Sequence, residues 1–154
     1  MKKLVSGILI SCMALALVAC GKEQSATYRS TQDVSGMVIT DTMTLDAKGD
    51  KVQKMSETIE VDLTAFDDSQ YEEVAALYDE MVEQYKSVEG VECTGTSADK
   101  VYTISVTVDT TGDAVSELVE LGLLSIEGPG ASKGISLKKT GEALVASGYE
   151  EVTE

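Results

Sequence analysis

In this 154-residue chain histidine is absent, so acid–base and metal-ligand chemistry near neutral pH falls chiefly to carboxyls, with six phenols and three thiols beside them. Without imidazole there is no histidine-dependent triad, no histidine general base and none of the commonest zinc and copper sites. The 27 acidic residues always supply some pair for two-carboxylate glycoside hydrolysis, so an acid-dependent hydrolase stays only as the last of three readings. Asp67, Asp68, Glu72 and Glu73 could gather oxygen ligands for Ca²⁺, but their spacing is not that of an EF-hand loop. A helix N-terminus, where the macrodipole favours acids, accounts for the same four residues, and no metal, cofactor or catalytic residue is expected. Tyr28, Tyr71, Tyr78, Tyr85, Tyr102 and Tyr149 could line a groove. Tyr78, Tyr85 and Tyr102 are read instead as completing the core with their hydroxyls at its edge. Among the thiols, Cys93 stands between small polar residues with no basic cluster to lower its pKa, and reads as a small half-buried hydrophobe. Cys20 differs, because it closes an apolar run and polar residues follow it at once.

That run has the three-part layout of a secretory signal peptide: Lys2 and Lys3, apolar Leu4 to Val18, then small Ala19. It is shorter than the roughly 20 apolar residues a transmembrane helix needs, and Gly21-Lys22-Glu23-Gln24-Ser25 follows, so the leader is expected to be removed. Leu17-Val18-Ala19-Cys20 resembles the lipobox of bacterial lipoproteins. The resemblance implies a diacylglycerol on the Cys20 sulfur, cleavage between Ala19 and Cys20, and a palmitate-type anchor at the cell membrane. The residue types suit that chemistry, since a deprotonated thiol is the best nucleophile on offer and two acyl chains hold where one binds only marginally. Gly21 in place of aspartate would permit transfer to an outer membrane in a Gram-negative envelope. The competing reading is a plain secretion signal followed by a chance cysteine.

The chain thus divides into a signal peptide (residues 1–19), a lipidated N-terminus and tether (20–26) and a single α/β domain (27–154). The mature 135 residues are one domain's worth. The leader takes two of the 12 basic residues and no acid, so the mature chain keeps 10 against 27 acids, a formal charge of −17. Such a surface repels nucleic acid, and is expected to hold the body away from the membrane that anchors it. Cys93 would be the one thiol left over, so no internal disulfide staples the fold.

A first strand is expected around Thr27 to Gln32, with a turn at Val34-Ser35-Gly36. From Met37 to Asp62 the period is two: Met37, Ile39, Met43 and Leu45 share one face, and Met55, Ile59, Val61 and Leu63 repeat it. Gly49, in Asp46-Ala47-Lys48-Gly49-Asp50, supplies the turn of a long hairpin. Asp41 interrupts the apolar face and marks a bulge, an edge or the point where the strand leaves the core. Ser69 with Glu72 has the form of a capping box, opening a helix over residues 69–89 with Val74, Leu77, Tyr78, Met81, Tyr85 and Val88 inward and Gly90 as its stop. Val91 to Gly95 and Lys100 to Asp109 make a second hairpin, joined through Thr96-Ser97-Ala98-Asp99, with Tyr102, Ile104, Val106 and Val108 toward the helix. Thr111 or Asp113 caps a short helix carrying Ala114, Val115, Leu118, Val119 and Leu121. Gly128-Pro129-Gly130-Ala131-Ser132-Lys133-Gly134 lacks the ending of a phosphate-cradling loop and reads as a connector. Ser136 caps a last helix, Leu137 to Ser147, with Leu144 and Val145 inward, before a final strand over Tyr149 to Val152.

This order of elements, with Ala47-Lys48-Gly49-Asp50-Lys51-Val52, Tyr85-Lys86-Ser87-Val88-Glu89-Gly90-Val91 and Gly148-Tyr149-Glu150-Glu151-Val152, resembles the YehR-like family of small bacterial lipoproteins from Thr27 to Val152. The family carries no established activity, so the resemblance brings no functional residue beyond the lipidated cysteine. The fold class expected is α+β: a two-layer sandwich with a mainly antiparallel sheet of about five or six strands and two or three helices on one face. The function expected is a non-enzymatic binding or interaction module, lipid-anchored through Cys20 on the extracytoplasmic face and in contact with an envelope protein. The alternative is an accessory or ligand-capturing subunit of an envelope transport system, although 135 residues are too few for a two-lobed binding protein.

Overall fold

A computed structural model describes residues 13–14, 21–127 and 134–153. Ala19 and Cys20, the rest of the leader apart from Met13 and Ala14, and the glycine-rich connector up to Lys133 lie outside the described residues. The elements are β1 (Met13–Ala14), β2 (Glu23–Val34), β3 (Met37–Lys48), β4 (Lys51–Asp62), α1 (Asp68–Lys86), β5 (Val91–Ala98), β6 (Val101–Asp109), α2 (Ala114–Glu120), β7 (Ile126–Glu127), α3 (Leu137–Ala146) and β8 (Glu150–Glu151). Six strands form one antiparallel sheet in the order β5-β6-β4-β3-β2-β8, and β1 pairs in parallel with β7 as a separate two-stranded ladder. The expected α+β layout is the one found.

Period two sets the two faces. Met43 and Leu45 on β3, Met55, Ile59 and Val61 on β4, and Tyr102, Ile104, Val106 and Val108 on β6 are buried toward the helices. The other face is a lattice of small hydroxyls. Cross-strand register aligns Thr27, Thr44, Ser56 and Thr107 in one row and Thr42, Thr58, Ser105 and Thr94 in the next. Thr27 bonds Thr44 across the ladder at 3.0 Å, Thr31 bonds Thr40 at 3.2 Å, and Arg29 Nε donates to Thr42 Oγ1 at 3.1 Å. Threonine suits such a face because its β-branch favours the extended backbone while its hydroxyl meets water.

Several local expectations are corrected. β2 begins at Glu23, not Thr27, so residues 23–26 belong to the sheet and not to a tether. Asp67, not Ser69, caps α1: its carboxylate accepts from the Gln70 amide at 2.9 Å, and the Gln70 side chain accepts from the Asp67 amide. The box is closed by glutamine where the sequence offered Glu72, and the shift of two residues follows from which side chain reaches N3. The inward stripe of α1 centres on Tyr78, Val82 and Tyr85, leaving Leu77 41% exposed. Tyr78 stacks on Tyr102 of β6 with ring centroids 5.3 Å apart. The β5–β6 turn is two residues, Asp99 and Lys100, both left-handed at φ 52° and 61°, the geometry that matches strand twist in a tight hairpin. Asp113 precedes α2 but its side chain makes no capping bond, and Thr111 bonds Asp109 instead. In α2 Leu118 is buried while Val119 and Leu121 are exposed. Val145 on α3 is 53% exposed, because only its neighbour Leu144 falls on the stripe facing the sheet.

The hairpin turn and α3 lock together. Gly49 takes φ 62°, as only glycine does at little cost, and Asp50 beside it reaches across to the helix. Its Oδ2 accepts from Ser136 Oγ at 2.7 Å and its Oδ1 from the Lys138 amide at 2.9 Å, while Ser136 Oγ accepts from the Lys139 amide at 3.1 Å. Val52 N donates to Ile135 O at 2.8 Å. The run Ala47 to Val52 is therefore an assembly device that caps a helix far along the chain.

Candidate functional site

The titratable groups that the fold gathers are Asp41, Glu57 and Tyr149, in the core between the sheet and α3. Strand register makes the acids neighbours: Asp41 lies opposite Ile59, and Met43 opposite Glu57, so the two carboxyls sit diagonally on the inner face. Asp41 is 4% exposed and Glu57 3%. Asp41 thus breaks the apolar pattern from inside the core, neither at an edge nor at a bulge; the irregularity falls at Asp46/Ala47.

Tyr149 is brought in by the end of α3. Gly148 turns left-handed at φ 97°, the Tyr149 amide returns to Leu144 O at 3.0 Å, and the phenol then donates to Asp41 Oδ2 at 2.6 Å in the interior. Ser30, opposite Asp41 on β2, also bonds the Tyr149 hydroxyl. Burial raises the Asp41 pKa, against hydrogen bonds from Tyr149 and Glu57 that lower it. Glu57 is pushed well above the ordinary glutamate range, first by burial and then by the charge of Asp41. Among the described residues Asp41 Oδ1 and Glu57 Oε2 have no hydrogen-bond partner. A proton kept on Glu57 beside Asp41 avoids two buried charges side by side, which are far costlier than one held by a phenol and an acid. Tyr85 of α1 stands near enough to Glu57 to feel its charge, and its hydroxyl donates to Leu123 O at 3.1 Å.

Asp41 and Glu57 are shut away from solvent. A depression of about 480 Å³ beside the cluster is lined by Ser30, Gly148 and Glu150, and one of about 810 Å³ lies at the Lys54 and Asp109 corner; none of the three groups lines either. The sequence signal was present: Glu57 falls between Met55 and Ile59 on the apolar side of the period-two pattern, as Asp41 does on β3. Only the register shift beyond the turn brings the two together.

The other candidates are placed as follows. Asp67 is the helix cap, and Asp68 pairs with Lys100 at 2.7 Å, which lowers its pKa. Glu72 and Glu73 are exposed, and among the described residues no group of three acids or cysteines is placed to hold a metal. Cys93 is free and buried, more so than expected, and burial pushes its thiol up to about 11. Tyr78, Tyr85 and Tyr102 are in the core as read, and Tyr28 and Tyr149 join them. In the sequence Gly21 and Lys22 separate Cys20 from β2, and Gly49 N donates to Lys22 O at 2.9 Å, tying residue 22 to the β3–β4 turn.

Residues 24–150 match the family model described as "Protein of unknown function (DUF1307)". The chain is 29% identical over 153 residues to the uncharacterized lipoprotein Lin0239 of Listeria innocua, covering 99% of this chain and 97% of that one. It is 26% identical over 151 residues to the uncharacterized lipoprotein YehR of Escherichia coli, covering 97% and 96%. The solution structure of E. coli YehR superposes with a TM-score of 0.59 over 84% of this chain and 92% of that one at 23% identity, a likeness of fold. Among the described residues no helix is long and apolar enough to cross a membrane.

Proposed function

The chain belongs to the family described as protein of unknown function (DUF1307), and from that premise we propose that it is a lipid-anchored envelope lipoprotein whose folded domain is a non-enzymatic interaction module. The observation that carries the anchor is the full-length similarity to lipoproteins combined with Leu17-Val18-Ala19-Cys20 at the close of an apolar leader. Cys20 bears the lipid, cleavage falls between Ala19 and Cys20, and the domain stands on the extracytoplasmic face.

What supports an interaction role over catalysis is where the reactive groups lie. The perturbed carboxyls are buried, and neither Asp41 nor Glu57 lines the depression beside them at Ser30, Gly148 and Glu150, while the other face of the sheet presents rows of threonine and serine hydroxyls. An envelope protein contacting that face is the expected partner. Two experiments test the reading. Replacing Cys20→Ser should abolish metabolic labelling by palmitate, and normal labelling of the variant would overturn the anchor. A photo-crosslinker at Thr58, centred on the hydroxyl face, should capture a discrete envelope protein that a probe at Glu80 on α1 does not; identical products from both positions would overturn the face.

A further inference from the structure

The formal charge of −17 on the mature chain is not spread evenly. Lys22, Lys48, Lys51, Lys138 and Lys139, half of its 10 basic residues, converge where the chain leaves the anchor. Lys22 is bonded to Gly49 through its carbonyl; Lys48 pairs with Glu23 on one side and Lys51 on the other; Lys51 bridges to Ser136; and the Lys138 amide is held by Asp50. Among the described residues Lys22, Lys48, Lys51 and Lys138 form no ion pair, whereas Lys54 pairs with Asp46, Lys86 with Glu83 and Lys100 with Asp68.

Among the described residues the only acid nearby in an ion pair is Asp46, with Lys54 at 3.1 Å. Asp50 accepts from Ser136 and the Lys138 amide, neutral donors that leave its formal charge unpaired, and Glu23 lies beside Lys48 and Glu142 further along α3, so five lysines stand against three carboxylates. The β5 corner of the same end is acidic, with Glu89, Glu92 and Asp109. Asp33, Asp62, Asp67 and Asp99 lie at the opposite end, beyond strands of 12 residues, which is about 40 Å at 3.3 Å per residue. Screening at physiological salt acts over about 8 Å, so what the lipid surface meets is the local lysine cluster and not the net charge.

We infer that the β2–β4–α3 corner docks on anionic phospholipid headgroups beside the anchor, tilting the domain with its β5 corner raised. This rests on the lipid anchor proposed above, and it replaces the expectation that the whole body is held off the membrane by repulsion. The short link makes it geometrically direct, because two residues between Cys20 and β2 reach no more than about 7 Å.

The test reconstitutes the membrane-extracted lipoprotein into vesicles of phosphatidylcholine alone or with phosphatidylglycerol, and follows lysine acetylation residue by residue by mass spectrometry. Lys48 and Lys138 should react about tenfold more slowly on the anionic vesicles and recover at high salt, with Lys86 and Lys100 unchanged. Equal rates on both vesicles, or uniform slowing of all four lysines, would overturn the docking. Flotation with the neutral vesicles reports the anchor separately: protein that fails to float overturns the anchor and the docking with it, whereas protein that floats with equal rates overturns the docking alone.

Discussion

Glu57 is one of the groups through which stability varies with pH. Its pKa is raised in the folded state, so its contribution is fully present below the glutamate value of the unfolded chain and is lost progressively as pH rises through the folded value. Glu57→Gln keeps the shape and a donor toward Asp41 while removing the proton that must be held. It should raise stability at pH 8 by about 1–3 kcal/mol, the scale of an ill-satisfied buried polar group, and gain little at pH 4.5; urea midpoints at the two pH values measure this. A gain equal at both would mean that the pair does not titrate. Tyr149→Phe removes the phenol that donates to Asp41 at 2.6 Å, with an expected loss of about 1–3 kcal/mol in the same urea measurement, larger at pH 8 than at pH 4.5. The apolar periods of β3 and β4 were legible in the sequence, and so was the fact that Asp41 breaks one of them. That Asp41 and Glu57 meet was not, because their adjacency depends on a one-residue register shift at Asp46/Ala47, which no local pattern encodes. Tyr149, more than a hundred residues downstream of Asp41, was out of reach for the same reason.

At the scale of elements, strands and helices declared by strong periodicity were read correctly, with starts at Met37, Val91 and Leu137 as expected, and several other ends were not. β2 lacks a clean alternation over Glu23 to Ala26, and those residues become strand because β3 offers them a complete ladder of partners. The α1 cap moved to Asp67 because Gln70 serves the capping box as well as glutamate does. α3 is the element most dependent on the rest of the chain, since its first turn is satisfied by Asp50 from the β3–β4 turn. Asp50→Ala should cost about 1–2 kcal/mol and should raise amide exchange at Lys138 and Lys139 before exchange in β3 or β4; loss spread evenly over the domain would contradict a local role. Gly141 marks where α3 lies against Tyr28: a β-carbon there would meet the ring Cζ at 2.9 Å and the hydroxyl closer still. Gly141→Ala should therefore lower the thermal midpoint by several degrees, since the buried ring has little room to retreat, and Gly141→Ala with Tyr28→Phe should recover part of that loss.

For the whole molecule, the docking inferred above would use Lys22, Lys48, Lys51 and Lys138, which lie at the end where residue 21 enters the sheet, while Asp33, Asp62, Asp67 and Asp99 lie at the far end and Glu89, Glu92 and Asp109 mark the opposite corner. On the proposed reading the hydroxyl face makes the protein contact, and the cluster of Asp41, Glu57 and Tyr149 lies inside the core. All of this presumes that the chain begins, in its working form, at a lipidated Cys20. The measurement that tests this most directly is the intact mass and N-terminal peptide of the protein extracted from membranes. The account predicts a chain lacking residues 1–19 and carrying diacylglycerol on the Cys20 sulfur. A membrane-extracted chain that starts at any other residue, or that shows an unmodified Cys20 thiol, would contradict it.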